Sequence, residues 1–183
     1  MGYALKSQQS LMGLAMFYCS KREASRAWLG KYLQRKCHEQ KLEKSISNEW
    51  ISNVLDACEK SKAVDDHRYA AMLIQEYSRR GKGKRYIEQK LREKGIHKDL
   101  WELSKDEDAE YLRAVTLAQK IITGLKSKVS RKAERKSHQL QKSDRYRASN
   151  EKFELKQKML QKLISSGFSI DISRKATEQV LSS

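Results

Sequence analysis

The sequence predicts an all-α protein, built as tandem three-helix repeats that form an elongated, curved array. Three observations carry this expectation. No proline occurs among the 183 residues, so nothing removes a backbone donor or clashes with a preceding helical turn. Apolar residues recur at helical spacing in successive groups, and no alternating run of Val, Ile or Thr is long enough for a strand. Hydrophobic residues make up only 38% of the chain against 34% charged, a lean supply for one spherical core but ample for a thin helical array.

The elements follow in order. Leu11, Leu14, Ala15 and Tyr18 form a first short apolar stripe. Ser20-Lys-Arg-Glu23 has the form of a capping box, in which Ser and Glu side chains satisfy free amides at a helix start. The helix it would open places Trp28, Leu29, Tyr32 and Leu33 on one face, ringed by Arg26, Lys31, Arg35 and Lys36. Polar Ser45 to Asn48 leads into a third helix that uses Trp50, Ile51, Val54, Leu55 and Cys58.

The pattern then restarts. Asp65 and Asp66 precede an apolar face of Tyr69, Ala70, Met72, Leu73, Ile74 and Tyr77. A basic break from Arg79 to Arg85 separates it from a helix carrying Tyr86, Ile87, Lys90 and Leu91. Gly95 ends that helix, being able to adopt a left-handed backbone, and Leu100, Trp101 and Leu103 make a brief third element. Ser104-Lys-Asp-Glu107 resembles a second capping box, opening a helix with Tyr111, Leu112, Val115, Leu117, Ala118, Ile121 and Ile122. The chain is then strongly basic, as a long helix or connection near 126–158. It closes with a helix using Phe153, Leu155, Met159, Leu160, Leu163 and Ile164, and another using Ile170, Ile172, Ala176, Val180 and Leu181.

The second helices of the three groups superimpose as Leu29-x-x-x-Leu33, Ile87-x-x-x-Leu91 and Met159-x-x-x-Leu163. Two of them run on to glycine and an apolar residue, Gly95-Ile96 and Gly167-Phe168. The expected repeats are 8–63, 64–104 and 105–183, since a short helical unit buries its apolar face by stacking on its neighbours.

Composition also narrows function. The net charge of +16 draws the chain toward polyanions and opposes self-association, so a monomer is expected. Cys19, Cys37 and Cys58 lack the close spacing of a zinc or redox site, and the four histidines complete no ligand set. Reduced, packed thiols and no cofactor are the expectation. The start at Met1 lacks signal-peptide form and no apolar run reaches the ~20 residues of a membrane span, which points to the cytoplasm.

Candidate chemistry resolves into structural roles. Asp65 and Asp66 resemble a carboxylate pair, but neighbouring helical residues point about 100° apart and no third acidic ligand stands near. Helix capping fits them better, fixing the junction between the first two repeats. Gly81-Lys-Gly83-Lys84 lacks the spacing and the Lys-Ser/Thr ending of a P-loop. The glycine pair permits a tight turn, and the surrounding cations read equally as an anion-facing patch or a solvated loop. The aromatic residues Trp28, Tyr32, Trp50, Tyr69, Tyr77, Tyr86 and Trp101 are expected in cores rather than on a base-stacking surface. No Ser–His–Asp or Cys–His constellation is visible, so the chain is expected to bind rather than catalyse.

Asp65-Asp66-x-x-Tyr69-Ala70, followed by RRGKGKRYIEQKLREKGI from Arg79 to Ile96, resembles the RecX family, bacterial regulators of the RecA recombinase. KREASRAWLGKYLQRK from Lys21 to Lys36 is similar to that family's opening helix, and LISSGFSIDI from Leu163 to Ile172 to its closing segment. The sequence departs from the family at Trp28, where Glu is usual, and at Lys84, where Pro is common. The resemblance implies a partner, the RecA–single-stranded-DNA filament, and an activity, modulating and mostly inhibiting filament growth, ATP hydrolysis and the recombination and SOS functions. The alternative class is a basic helical DNA- or RNA-binding protein that does not act on RecA. The expected partner- or DNA-binding residues are Arg79, Arg80, Lys82, Lys84, Arg85, Lys90, Arg92 and Lys94, with Arg131, Lys132, Arg135 and Lys136 as a second cluster. Asp65, Asp66, Gly81, Gly83, Gly95 and Gly167 are the expected structural junctions.

Overall fold

The computed structural model describes residues 5–103, 106–134 and 144–182, with the backbone alone over 125–134 and 144–152. The described residues form eight α-helices and no strand: α1 Gln8–Lys21, α2 Arg26–Glu39, α3 Lys44–Lys60, α4 Asp66–Arg79, α5 Lys84–Glu93, α6 Glu107–Glu134, α7 Asp144–Ser165 and α8 Ile170–Ser182. The brief element expected around Leu100 is a 3-10 turn, Lys98–Leu100. No helix among the described residues is long and apolar enough to cross a membrane.

The chain divides into two compact units, Met1–Gln75 with Gln89–Glu102, and Glu76–Glu88 with Leu103–Ser183. In the first, α1, α2 and α3 pack on one another around Leu11, Ala15, Leu29, Leu33, Cys37, Val54 and Cys58. Leu11, Leu29 and Leu33 are wholly buried, each worth roughly 1.5–3 kcal/mol relative to exposure. In the second, α6, α7 and α8 pack together around Ala118, Met159, Leu163, Phe168 and Ala176. Cys19, Cys37 and Cys58 are free thiols. Burial pushes the Cys19 thiol up to about 11, with Cys58 and Glu23 nearby adding to the effect.

Helix ends follow one recurring design. Gly81, Gly95 and Gly167 each follow a helix with φ between 70° and 93°. In each, the glycine amide reaches back three residues and the next amide reaches back five, as in Lys82 N to Tyr77 O, Ile96 N to Leu91 O and Phe168 N to Leu163 O. This is the Schellman arrangement, which satisfies carbonyls left open at a helix terminus. After α2 the same bonds form with a lysine in the glycine's place: Lys41 (φ 56°) and Leu42 close on His38 O and Cys37 O.

These ends refine the superposition of the second helices. Counted from its start, Leu29 and Leu33 in α2 match Ile87 and Leu91 in α5, because Leu29 N bonds Ser25 O as Ile87 N bonds Gly83 O. Counted from its end, Leu33 and Cys37 match instead, since Cys37 O holds the closing bond that Leu91 O holds in α5. Helix α2 has 14 residues and α5 has 10, and the extra turn accounts for the double register.

Several local expectations change. Ser20 does not open α2: it lies in the last turn of α1, where its hydroxyl donates to Phe17 O. The N-cap is Ser25, whose Oγ accepts from Trp28 N at 3.1 Å. Ser45 to Asn48 lie inside α3, which starts after Glu43 with no side-chain cap. Of the second expected box, Ser104 and Lys105 fall outside the described residues, and Asp106 accepts from Ala109 N at the start of α6. Phe153, Met72, Ile164 and Ile170 are exposed rather than packed, because each lies on a helix flank that no neighbour covers among the described residues.

Candidate functional site

The segment from Asp65 to Ile96 carries most of the residues singled out in the sequence. Asp65 and Asp66 both cap helices, but different ones. The Asp65 carboxylate accepts from Arg68 N at 3.0 Å, closing the first turn of its own α4. That amide bond holds its carboxyl below the ordinary carboxylate value. Asp66 turns the other way and accepts from Arg26 N, the first amide of α2, at 2.7 Å. Burial raises its pKa, opposed by the Arg26 amide. Arg26 in turn reaches Asp56 and Glu59 of α3, both at 2.6 Å, and Arg68 pairs with Glu23 at 3.0 Å.

The start of α2 also receives the end of α5. Ser25 Oγ donates to Lys94 O, and the following Gly95 lies so close to Ala27 that an added Cβ would stand 2.5 Å from the Ala27 methyl. A second joint of the same construction lies at the start of α5, which receives the end of α7. Gly83 N donates to Ser166 O at 2.9 Å and Arg85 N to Gly167 O at 3.1 Å. The first amide of α5, Lys84 N, donates to the Glu110 carboxylate on α6 at 3.0 Å, as Arg26 N does to Asp66. Cβ atoms built on Gly83 and Gly167 would stand 2.4 Å from Gly167 C and from Tyr86 N and Cβ respectively. Gly83 therefore serves close backbone approach, and Gly81 alone supplies the left-handed turn.

The expected cations divide between the two units. In the second, Glu76 binds both Arg79 (2.8 Å) and Arg80 (2.6 Å), and the Arg79 hydrogen bond holds its carboxyl below the ordinary range. Lys82 Nζ sits 4.6 Å from the Tyr86 ring, which meets Tyr77 edge-on at 5.5 Å. Arg85 is exposed. Five cations against Glu76 and Glu88 leave this segment positive. In the first unit Lys90 pairs with Glu93 at 2.6 Å, Arg92 is exposed, and Lys94 Nζ lies 4.1 Å above the Trp28 ring. The side chains of Arg131 and Lys132, and all of Arg135 and Lys136, lie outside the described residues. Among the described residues no group of three His, Cys, Asp or Glu could hold a metal ion.

A further surface was not legible in the sequence. Between α1 and α2 runs an open groove of about 540 Å³, lined by four aromatic side chains (Phe17, Tyr18, Trp28, Tyr32) and four cations (Lys21, Arg22, Lys31, Arg35). Trp28, expected in the core, is 41% exposed, and Phe17 63%. The only signal was the interleaving of aromatic and basic residues along α2, which periodicity alone assigns to a core flank.

The architecture defines a helical protein of three-helix domains whose described cations and carboxylates mainly cap, pair or line surfaces. Residues 65–103 match the family model for RecX, second three-helix domain. The crystal structure of RecX from Lactobacillus salivarius is similar at 22% identity over 96% of this chain and 97% of that one, with a TM-score of 0.59. A crystal structure of regulatory protein RecX is similar at 21% identity over 96% of this chain and 72% of that one, with the same TM-score. Those two likenesses speak for the fold, and the domain match is to residues 65–103. No curated protein matches the chain.

Proposed function

We propose that this chain is a cytoplasmic modulator of RecA, which binds RecA–single-stranded-DNA filaments and restrains their growth, ATP hydrolysis and recombination and SOS activity. The observation that carries this reading is the match of residues 65–103 to the second RecX domain, which contains the helix-capping Asp pair and most of the expected basic residues. The chain acts as a monomer, without cofactor and without chemistry of its own. Its repeats are 8–63, 64–104 and 105–183, and each can meet a different part of a filament. Restraint follows from occupancy: helical units anchored on a filament oppose the subunit movements that turnover needs.

The contact residues in this reading are Arg79, Arg80, Lys82, Lys84, Arg85, Lys90, Arg92 and Lys94, with Arg131, Lys132, Arg135 and Lys136 beside them. Within the first set, Lys82 and Arg85 have the greatest leverage, because Arg79 and Arg80 share Glu76 and Lys90 pairs with Glu93. Charge reversal as Lys82→Glu/Arg85→Glu tests the assignment by co-sedimentation with preformed RecA–single-stranded-DNA filaments. Filament binding is expected to fall about tenfold or more while helical circular dichroism is retained, each lost desolvated charge contact being worth about 1 kcal/mol or more. Unchanged co-sedimentation at moderate salt would remove these residues from the interface.

A further inference from the structure

We infer that the groove between α1 and α2 binds single-stranded nucleic acid, with bases stacked on Trp28 and Phe17 and phosphates held by Lys31, Arg35 and the neighbouring cations. The inference stands apart from the filament reading, since it concerns the free chain and a groove lined by residues between Phe17 and Arg35.

Two properties of the groove coincide. Its aromatic rings are held on the surface: Trp28 Nε1 donates to Tyr18 OH at 3.0 Å, and the Tyr18 and Tyr32 rings stack at 4.4 Å with 32° between planes. Trp28 is thereby fixed in an exposed position, although an indole normally gains most by burial. Its cations are also under-compensated. Lys21, Arg22 and Lys31 have no carboxylate partner among the described residues, and Arg35 has only Glu39 at 3.7 Å, which Lys36 holds more closely at 2.6 Å. Glu23, the nearest acidic residue in sequence to Arg22, is engaged by Arg68.

The cations rest on the rings: Lys21 on Phe17 at 5.6 Å, Arg22 on Tyr18 at 5.2 Å, Arg35 on Tyr32 at 5.6 Å and Lys94 on Trp28 at 4.1 Å. A ring face holds a cation weakly when exposed to water. A polyanion draws the cation off onto a phosphate and leaves the ring face for a base. A single strand uses both halves of that exchange, phosphates and π-faces together, which is how sequence-tolerant strand-binding surfaces work. An acidic peptide would use the cations and leave the rings idle, and a duplex keeps its bases stacked on each other. Lys31 and Arg35, one helical turn apart, stand about 6 Å from each other along α2, so the phosphate track runs along the helix.

The test uses the full-length chain and fluorescein-labelled oligothymidylate and oligouridylate, followed by anisotropy across a salt series. Saturable binding by either strand is expected, and the ratio of the two names the source. Trp28→Ala should weaken binding about tenfold with the salt slope unchanged, and Trp28→Phe should recover most of the loss. Lys31→Gln with Arg35→Gln should reduce the log–log salt slope by about 1.4, at roughly 0.7 for each phosphate released. All three positions are exposed, and unchanged circular dichroism and melting will show that each variant is folded. The inference is overturned by wild-type affinity and slope in both sets of variants, or by duplex binding that equals single-strand binding and ignores Trp28. Competition by polyglutamate together with insensitivity to Trp28→Ala would also overturn it, by making the groove an acidic-peptide site. Loss of filament binding in the middle-segment variants with no effect of the groove variants would sink this inference and leave the filament reading standing.

Discussion

The starts of α2 and α5 are two versions of one joint, built from different chemistry. Each receives the end of a later helix, and each has its first amide capped by a carboxylate from the opening turn of another helix, Asp66 for α2 and Glu110 for α5. At α2 the residue before the helix is Ser25, and its hydroxyl both caps Trp28 N and bridges to Lys94 O. At α5 the equivalent residue is Gly83, whose backbone amide meets Ser166 O directly. A hydroxyl spans the gap in one joint, and the absence of any side chain closes it in the other. Position in the repeat thus fixes which groups must be satisfied, while the residue present decides how closely two backbones approach.

The comparison breaks most readily at its tighter member. Gly167→Ala and Gly83→Ala should each lower stability by about 3 kcal/mol or more, because an added methyl meets backbone atoms that cannot step aside. Gly81→Ala, which also has positive φ but open space around it, should cost only about 1 kcal/mol from backbone strain. Urea midpoints of the three variants measure the difference. Equal effects at Gly83 and Gly81 would mean that close approach contributes nothing.

A smaller effect separates the two carboxylates beside the α2 joint. Asp66→Ala should cost about 1 kcal/mol by leaving Arg26 N uncapped, whereas Asp66→Asn keeps an acceptor and sheds a partly buried charge. The folded-state pKa of Asp66 is raised above 3.8, so the folded chain binds more protons there than the unfolded one. Its contribution to stability therefore falls as pH rises from 3.8 through the folded value. Asp65, lowered below 3.8, has the opposite sign: its contribution is present above 3.8 and is lost as pH falls through the folded value. The Asp66→Asn variant should accordingly gain on the wild type as pH rises from 3.8 to neutrality, and unfolding curves across that range measure it. A gain that shrinks over the same range would reverse the assignment.

These joints also explain what could be read in advance. Gly95 and Gly167 were legible as helix ends because a glycine after a helical run has a local meaning. The Asp pair was legible as caps, but not that Asp66 serves a helix far back in the sequence. Ser20-Lys-Arg-Glu23 matches a capping box in spelling, yet the neighbouring α1 claims Ser20 and leaves the cap to Ser25. Lys41 gave no signal, since a lysine in a left-handed conformation is imposed by the surrounding packing. Gly83 was read as half of a turn because its partner, Gly167, is distant in the chain. Trp28 illustrates the same limit at the candidate surface: periodicity identifies a helical face but not what covers it, and here α1 and α2 leave an aromatic and basic groove open between them.

Filament restraint is tested most directly by the rate of ATP hydrolysis of RecA on single-stranded DNA, measured as this chain is added up to a stoichiometric amount. The rate should fall progressively, with filaments shortening or ceasing to extend in parallel. An unchanged rate and unchanged filament length at stoichiometric addition would contradict a RecA modulator and leave a basic helical nucleic-acid-binding protein in its place.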